Sequence, residues 1–202
     1  MNTAVEMIKQ LRNETGARAM ECRKALDQSN QNYEEARAYL REKAAQAAEK
    51  REDRETLEGR IELYTHNHGR IGVMVEINTE TEFASRSEVL RQFAHEITLQ
   101  IAAAAPLYVR DEDIPQQVLD EQRLAAVEKA RKAGKTEGII EQIVTGVLEK
   151  YKSLHVLLRQ AYIRDENITV AQLISQAISR IGENIVIRRF IHWEICTERE
   201  GE

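Results

Sequence analysis

The sequence predicts an α+β protein: an N-terminal module of three helices, a helical linker, and a core of about three antiparallel strands packed with helices. Two observations support this fold class. Apolar residues recur at helical spacing along most of the 202 residues, whereas three stretches are rich in the β-branched residues typical of strands. With only nine glycines and two prolines, the chain also favours long regular helices.

The first 42 residues predict a compact module of three short helices. The first helix, over residues 4–15, has an apolar stripe on one face and ends at a Thr-Gly-Ala sequence. The second helix carries the apolar residues Met20, Cys22, Ala25 and Leu26. A third begins near Tyr33, after a turn-rich break, so we assign residues 1–42 to the module.

Residues 43–58 are rich in alanine and mixed charge and lack a broad apolar stripe, which predicts a solvated helical linker. A surface helix of the next domain is the alternative interpretation. Residues 59–202 are assigned to an α+β core domain. Strand-like runs over Ile61–Thr65 and Ile71–Ile77 flank a His-Asn-His-Gly sequence, which is typical of a tight antiparallel hairpin.

Helical periodicity resumes after Ser85, whose spacing from Glu88 predicts a capping box. Three further helices are predicted, over residues 113–134, 137–151 and 169–182. A last strand is predicted over residues 184–195. Together with the hairpin, this strand predicts an antiparallel sheet that helices cover on one side.

Composition limits the classes of function. The net charge of −5 argues against nucleic acid as a direct partner, because phosphate binding needs a cationic face. Cys22 and Cys196 lie far apart and indicate neither a metal knuckle nor a disulfide framework, which favours a reducing compartment. No apolar run has the length of a signal peptide or of a membrane span, so we expect a cytoplasmic protein without membrane association.

The sequence favours a binding protein over an enzyme, since it contains no glycine-rich phosphate loop and no nucleophile elbow. Cys22 lies on an apolar helical face, where a packed thiol is the simpler interpretation. His66 and His68 alternate at a strand end and would be the metal ligands of a small metalloenzyme. Without a third ligand, solvated turn histidines are favoured, and we expect no cofactor and no metal.

A short acidic turn within Ile77–Glu88 carries Phe83, one of only three phenylalanines in the chain. Considered alone, a phenylalanine at this position is more often a buried residue at a helix start than an exposed one.

Three stretches in order resemble elongation factor Ts, the guanine-nucleotide exchange factor for elongation factor Tu. They are LRNETGARAMECRKAL at Leu11–Leu26, EINTETEFAS at Glu76–Ser85 and IGENIVIRRFIHWEI at Ile181–Ile195. The resemblance covers essentially the whole chain. It implies an N-terminal module like a ubiquitin-associated domain, followed by an α+β core. It also implies the short form with a single core, which works as a homodimer, and we place self-association at the sheet edge and the last strand.

The resemblance also implies the site residues. Thr81, Glu82, Phe83 and Ala84, called the Phe83 turn below, match a family turn that inserts beside the partner's nucleotide site, disturbs the groups holding Mg²⁺ and the phosphates, and releases GDP. Phe83 would be the wedge, and Glu82 would place a carboxylate near the displaced metal region. No bond is made or broken by the factor itself.

The N-terminal module would dock on the partner's nucleotide domain through Met20, Arg23 and Lys24, called the docking patch below. Without the resemblance, a buried Met20 beside solvated Arg23 and Lys24 would be the simpler interpretation.

The chain departs from the family pattern at both sites. Arg18 replaces the usual glycine, Ala19 a methionine-like residue, Arg23 a lysine, Glu82 an aspartate and Ala84 a valine. The altered turn motivates an alternative function, namely a diverged relative that docks on the same GTPase as a chaperone or scaffold without promoting exchange.

Overall fold

The computed structural model describes residues 4–195 and confirms the α+β class. Cys196 lies outside the described residues. In chain order the elements are α1 (Ala4–Thr15), α2 (Ala19–Gln28), α3 (Tyr33–Glu49), β1 (Glu58–His66), β2 (Ile71–Thr79), α4 (Glu82–Ser85), α5 (Glu88–Ala104), α6 (Gln116–Lys132), α7 (Glu137–His155), β3 (Ala161–Tyr162), β4 (Asp165–Thr169), α8 (Val170–Ile181) and β5 (Ile185–Glu194).

The chain forms two compact units. One consists of the described residues up to Ala102 and from Ala171 onward, and the other of Ala103–Val170. The described residues contain no helix that is both long enough and apolar enough to cross a bilayer.

The three N-terminal helices share a small apolar core. Its buried members are Leu11, Ala17, Cys22, Ala25, Leu26, Ala36 and Leu40. The Cys22 side chain is fully buried, so the packed-thiol interpretation is confirmed, and burial raises the pKa of this thiol. Helix α3 begins at the N-cap Asn32 and continues to Glu49, so the first part of the segment predicted as a linker is the end of α3.

The end of α1 lies against α8. Gly16, which follows α1, has a positive φ of 72°, and a Cβ atom there would meet Nε of Arg180 at 2.0 Å. The Arg180 side chain donates a hydrogen bond to the carbonyl oxygen of Asn13 at 3.3 Å. Only glycine therefore meets both requirements at position 16, namely a left-handed backbone and room for the guanidinium.

The predicted hairpin and last strand form one antiparallel sheet in the order β1-β2-β5. His68 and Gly69, the central residues of the turn that the bond from the Arg70 amide to the Asn67 carbonyl closes, both have positive φ, as a primed turn requires. Strand β5 has a bulge at Arg188. Glu76 of β2 pairs with Arg189 and Ile77 pairs with Ile187, so Arg188 lies opposite no residue of β2. Because the bulge adds one residue, it reverses which side chains point inward along the rest of the strand.

The sheet consequently has one buried face and one exposed apolar face. The buried face carries Val73, Val75, Ile77, Ile185 and Ile187. The Tyr64 ring on this side contacts the His95 ring of α5 edge-on, with centroids 5.9 Å apart. The opposite face, called the outer sheet face below, exposes the large apolar residues Ile61, Leu63, Met74, Ile191 and Trp193.

The prediction that Ser85 caps α5 is wrong, because the residue that caps this helix lies two positions later in the chain. Ser85 is the last residue of α4, and its hydroxyl donates to the carbonyl oxygen of Glu82 at 2.7 Å. Ser87 caps α5 instead, since its hydroxyl oxygen accepts from the Leu90 amide at 3.1 Å. Ser85 belongs to the short helix α4, which was not predicted from the sequence, so it cannot cap α5.

The second unit contains the helix pair α6 and α7, whose contact buries Ala126, Ala130, Ile140 and Val144. It also contains the two-stranded sheet of β3 and β4, which is absent from the sequence prediction because strands of two and five residues show no clear alternation.

An ion-pair network in the second unit centres on Asp111. The Arg159 guanidinium donates to both carboxylate oxygens, at 2.6 and 2.5 Å, and Nζ of Lys152 lies 3.1 Å from the carboxylate. Burial pushes the pKa of Asp111 upward, but the hydrogen bonds from Arg159 and Lys152 outweigh burial and lower it. The folded state therefore favours the charged carboxylate.

We expect Asp111→Asn to lower the free energy of unfolding by about 1 kcal/mol at pH 7, a small value because Arg159 remains partly solvated. Since the folded-state pKa lies below the unfolded one, this contribution is fully present above about pH 4 and is lost as pH falls through the folded-state pKa. Urea unfolding of both proteins at pH 7 and pH 3 measures it. A difference between the two proteins that stays constant down to pH 3 would contradict this assignment.

Candidate functional site

The Phe83 side chain projects into solvent. It is 88% exposed, more than any other large apolar side chain in the part of the chain that the structure describes. The alternative of a buried residue at a helix start is therefore wrong. A ring this exposed adds little to the stability of its own fold, because almost none of its apolar surface is removed from water.

The backbone that presents Phe83 is short and well defined. Helix α4 is a single turn, and the Thr81 side chain caps it by accepting a hydrogen bond from the Ala84 amide at 3.2 Å. Ala84 and Ser85, on the opposite side of this turn from Phe83, are buried. Thr79, also buried, donates from its hydroxyl to the carbonyl oxygen of Thr81 at 3.1 Å. The ring is thus attached to a turn whose inner side is packed.

The loop after α8 holds the start of the turn from outside. The Thr81 amide donates to one carboxylate oxygen of Glu183 at 3.0 Å, and the Thr81 hydroxyl donates to the other at 2.8 Å. The preceding residue, Glu80, accepts from the Asn184 amide at 2.6 Å and pairs with Arg54 at 3.2 Å. The contribution of Glu183 is not predictable from the sequence, because Thr81 and Glu183 are 102 positions apart and no local pattern relates them.

Glu82, the acidic residue of the turn, is exposed and forms an ion pair with Arg86 one helical turn later at 2.5 Å. Such an exposed pair contributes little to stability, so the carboxylate can exchange this partner at small cost.

The docking patch lies on the solvent side of α2. Met20 is 62% exposed, and Arg23 and Lys24 are exposed beside it. The alternative in which Met20 belongs to the core is therefore wrong. Glu21 on the same helix accepts a hydrogen bond from Lys43 of α3 at 2.7 Å, and this bond lowers the pKa of the Glu21 carboxyl. The pair joins α2 to α3 at the surface, and the buried core residues hold the two helices together, so the patch is carried by a packed helix face.

The histidines of the hairpin do not assemble a metal site. The Tyr64 hydroxyl lies 2.9 Å from Nδ1 of His66, and His68 lies in the turn itself. Among residues 4–195 no group of three or more histidine, cysteine, aspartate or glutamate side chains is placed to hold a metal ion. The geometry therefore gives no support to the metalloenzyme alternative.

The site as a whole presents an exposed ring on a braced turn, together with an exposed apolar and cationic patch on a separate helix. Such a surface is suited to protein recognition, because a rigid aromatic side chain loses little conformational freedom on burial in a partner.

The chain is similar to known proteins over nearly its whole length. The family model described as elongation factor TS matches residues 2–177. The chain is 42% identical over 195 residues to elongation factor Ts of Coprothermobacter proteolyticus, covering 96% of this chain and 99% of that protein. It is 45% identical to elongation factor Ts of Rubrobacter xylanophilus, covering 96% and 100%. The corresponding protein of Methylacidiphilum infernorum is 41% identical over 198 residues, covering 98% of each chain.

Proposed function

Because this chain belongs to the elongation factor Ts family and is thus a translation elongation factor, we propose that it binds elongation factor Tu carrying GDP and promotes GDP release. The observation that carries this proposal is the exposed Phe83 ring on its fixed turn. We place the factor in the cytoplasm, and it makes no bond itself.

The mechanism is a wedge. The Phe83 ring inserts beside the nucleotide site of elongation factor Tu and holds apart the elements that bind Mg²⁺ and the phosphates. Thr81 and Ala84 set the backbone of the turn, and the Glu82 carboxylate lies next to the metal region and disfavours the return of the bound phosphate by charge repulsion.

The energy for release comes from linkage. A factor that binds the empty partner more tightly than the GDP-bound partner weakens GDP binding by the same ratio. A thousandfold ratio needs only about 4 kcal/mol of differential contact, which a few buried side chains supply. The contact of the docking patch through Met20, Arg23 and Lys24 brings the two proteins together, whereas the Phe83 turn distinguishes the two states.

Direct measurement separates this function from docking without exchange. A fluorescent GDP is loaded on purified elongation factor Tu, and its release is followed after addition of excess unlabelled GDP, with and without the factor. We expect release to accelerate and to saturate with factor concentration. Binding of the factor to elongation factor Tu without any change in the release rate would favour the chaperone or scaffold alternative.

We further propose that two copies of the chain associate through the outer sheet face. The strand register places Leu63, Met74 and Ile191 side by side across the three strands, and Trp193 lies opposite Gly72. These exposed apolar side chains form a contiguous patch across the three strands, next to the ion pair of Arg189 with Glu76 on the same face. An exposed apolar patch with a polar rim is typical of a protein–protein contact. In a two-fold dimer the same face of each copy covers the other, as a homodimer of the short form requires.

We expect Trp193→Glu to convert the dimer to a monomer of 23.2 kDa, because the 74%-exposed indole lies within the proposed interface and a carboxylate there would be buried without a partner. Analytical ultracentrifugation at micromolar concentration measures the mass. Leu154→Glu, on α7, is the matched control and should leave the mass unchanged. A wild-type chain that sediments as a monomer would refute the dimer.

A further inference from the structure

We propose that Glu183 is a positioning residue that fixes how Phe83 is presented to the partner. The inference rests on the proposed exchange function and assigns a role to a residue outside the Phe83 turn. Glu183 lies in the loop between α8 and β5 and contacts the turn at one residue, Thr81, through both of its carboxylate oxygens.

The hydroxyl of Thr81 links Glu183 to the turn. It donates to Glu183 at 2.8 Å while its oxygen accepts from the Ala84 amide at 3.2 Å. Because a hydroxyl has one proton, the bond to Glu183 directs that proton away and leaves a lone pair for the Ala84 amide. The carboxylate therefore sets the rotamer of Thr81, and this rotamer caps the single turn that carries Phe83.

A carboxylate is the side chain that suits this position. The amide and the hydroxyl of Thr81 are both donors, so Glu183 must accept at each of its two oxygens. A glutamine of nearly the same shape has a single acceptor oxygen, so it can accept from only one of the two groups. Its NH2 group can meet the Thr81 hydroxyl only as a donor, which leaves the direction of the hydroxyl proton unset. Substitution of Glu183 by glutamine thus loosens the turn without removing bulk.

The loop that carries Glu183 is itself fixed. The Asn184 side chain is buried, and its amide group donates to the carbonyl oxygens of Glu52 and Arg54 at 3.2 and 3.1 Å. The backbone N–H of Asn184 donates to the Glu80 carboxylate at 2.6 Å. The carbonyl oxygen of Gly182 accepts from Nε of Arg51 at 3.1 Å. Glu183 therefore stands between two anchored residues, and the segment after α3 and the Phe83 turn are held by the same three-residue loop.

The test compares Glu183→Gln with Glu128→Gln, which alters an exposed carboxylate paired to Lys132 on α6. We expect Glu183→Gln to lower the maximal rate of GDP release at saturating factor about tenfold, the effect of one hydrogen bond to a charged group. The concentration for half-maximal effect should not change, because the docking patch is untouched. Glu128→Gln should behave like the wild type.

Two further measurements distinguish positioning from a general loss of structure. The Ala84 amide of the free factor should exchange with deuterium faster in Glu183→Gln, whereas amides of the sheet keep their protection. In a Phe83→Ala background, Glu183→Gln should cause no further loss of rate, since both act through the same ring. If Glu183→Gln does not fold, Thr81→Val is the alternative variant. It removes the hydroxyl that donates to Glu183 and should slow GDP release in the same way.

Two results would overturn the inference while the proposed function stands: a normal release rate for Glu183→Gln when Phe83→Ala is impaired, or full additivity of the two substitutions. If the wild-type factor accelerates no release, the proposed function fails instead. Deuterium exchange at Ala84 then decides the positioning role by itself, since an unchanged rate in Glu183→Gln would refute it.

Discussion

Phe83→Ala is expected to abolish most of the acceleration of GDP release while leaving the fold intact. A central aromatic residue of an interface typically contributes at least about 2 kcal/mol, so we expect the maximal release rate to fall about 30-fold or more. Because the ring is almost fully exposed in the free factor, its removal should change the free energy of unfolding by less than about 0.5 kcal/mol. Release of fluorescent GDP and urea unfolding measure the two quantities.

The matched control for this substitution is Leu124→Ala, which removes an exposed apolar side chain of similar accessibility from α6. It should leave the release rate unchanged. A Phe83→Ala protein with wild-type exchange activity would show that the ring is not the wedge, whatever the affinity of the factor for its partner.

Leu26→Ala is expected to unfold the N-terminal helices selectively. Leu26 is 1% exposed in a core of only seven buried residues, and loss of a buried leucine costs about 2–5 kcal/mol. A module of about 40 residues has little stability to lose. We therefore expect deuterium exchange over α1–α3 to become fast, while β1, β2 and β5 keep their protection, and binding to elongation factor Tu to weaken strongly.

Val5→Ala is the control for Leu26→Ala, since Val5 lies on α1 of the same module but is 62% exposed. Its exchange pattern should match the wild type. Protection of α1–α3 that survives Leu26→Ala unchanged would mean that the packing of these helices on one another does not decide their stability.

The helices and the main sheet were predictable because their signals are local. The apolar stripe over residues 4–15 predicts a helix with the same bounds as α1, Ala4–Thr15. The His-Asn-His-Gly sequence predicts the hairpin that β1 and β2 form. The bulge at Arg188 was not predictable, since it arises from pairing with β2 and has no signature in the sequence of β5 itself. Yet this bulge decides that Ile191 and Trp193 face solvent.

The candidate site was predictable only through resemblance. Composition and spacing favour a buried phenylalanine at position 83, and its exposure follows from the cap and the packed inner side of α4. Helix α4 has four residues, too few for a periodic pattern to appear. The contact of Thr81 with Glu183 depends on the fold of the whole unit, because it joins the end of β2 to the loop after α8.

The most direct test of the account is the affinity of this factor for elongation factor Tu in two states, nucleotide-free and saturated with GDP, measured by titration calorimetry. The account predicts that the wild-type factor binds the empty form more tightly, by the same ratio by which it weakens GDP binding, and that Phe83→Ala reduces this ratio. Equal affinity of the wild-type factor for the two forms would contradict the account, because a ligand that binds both states equally shifts neither.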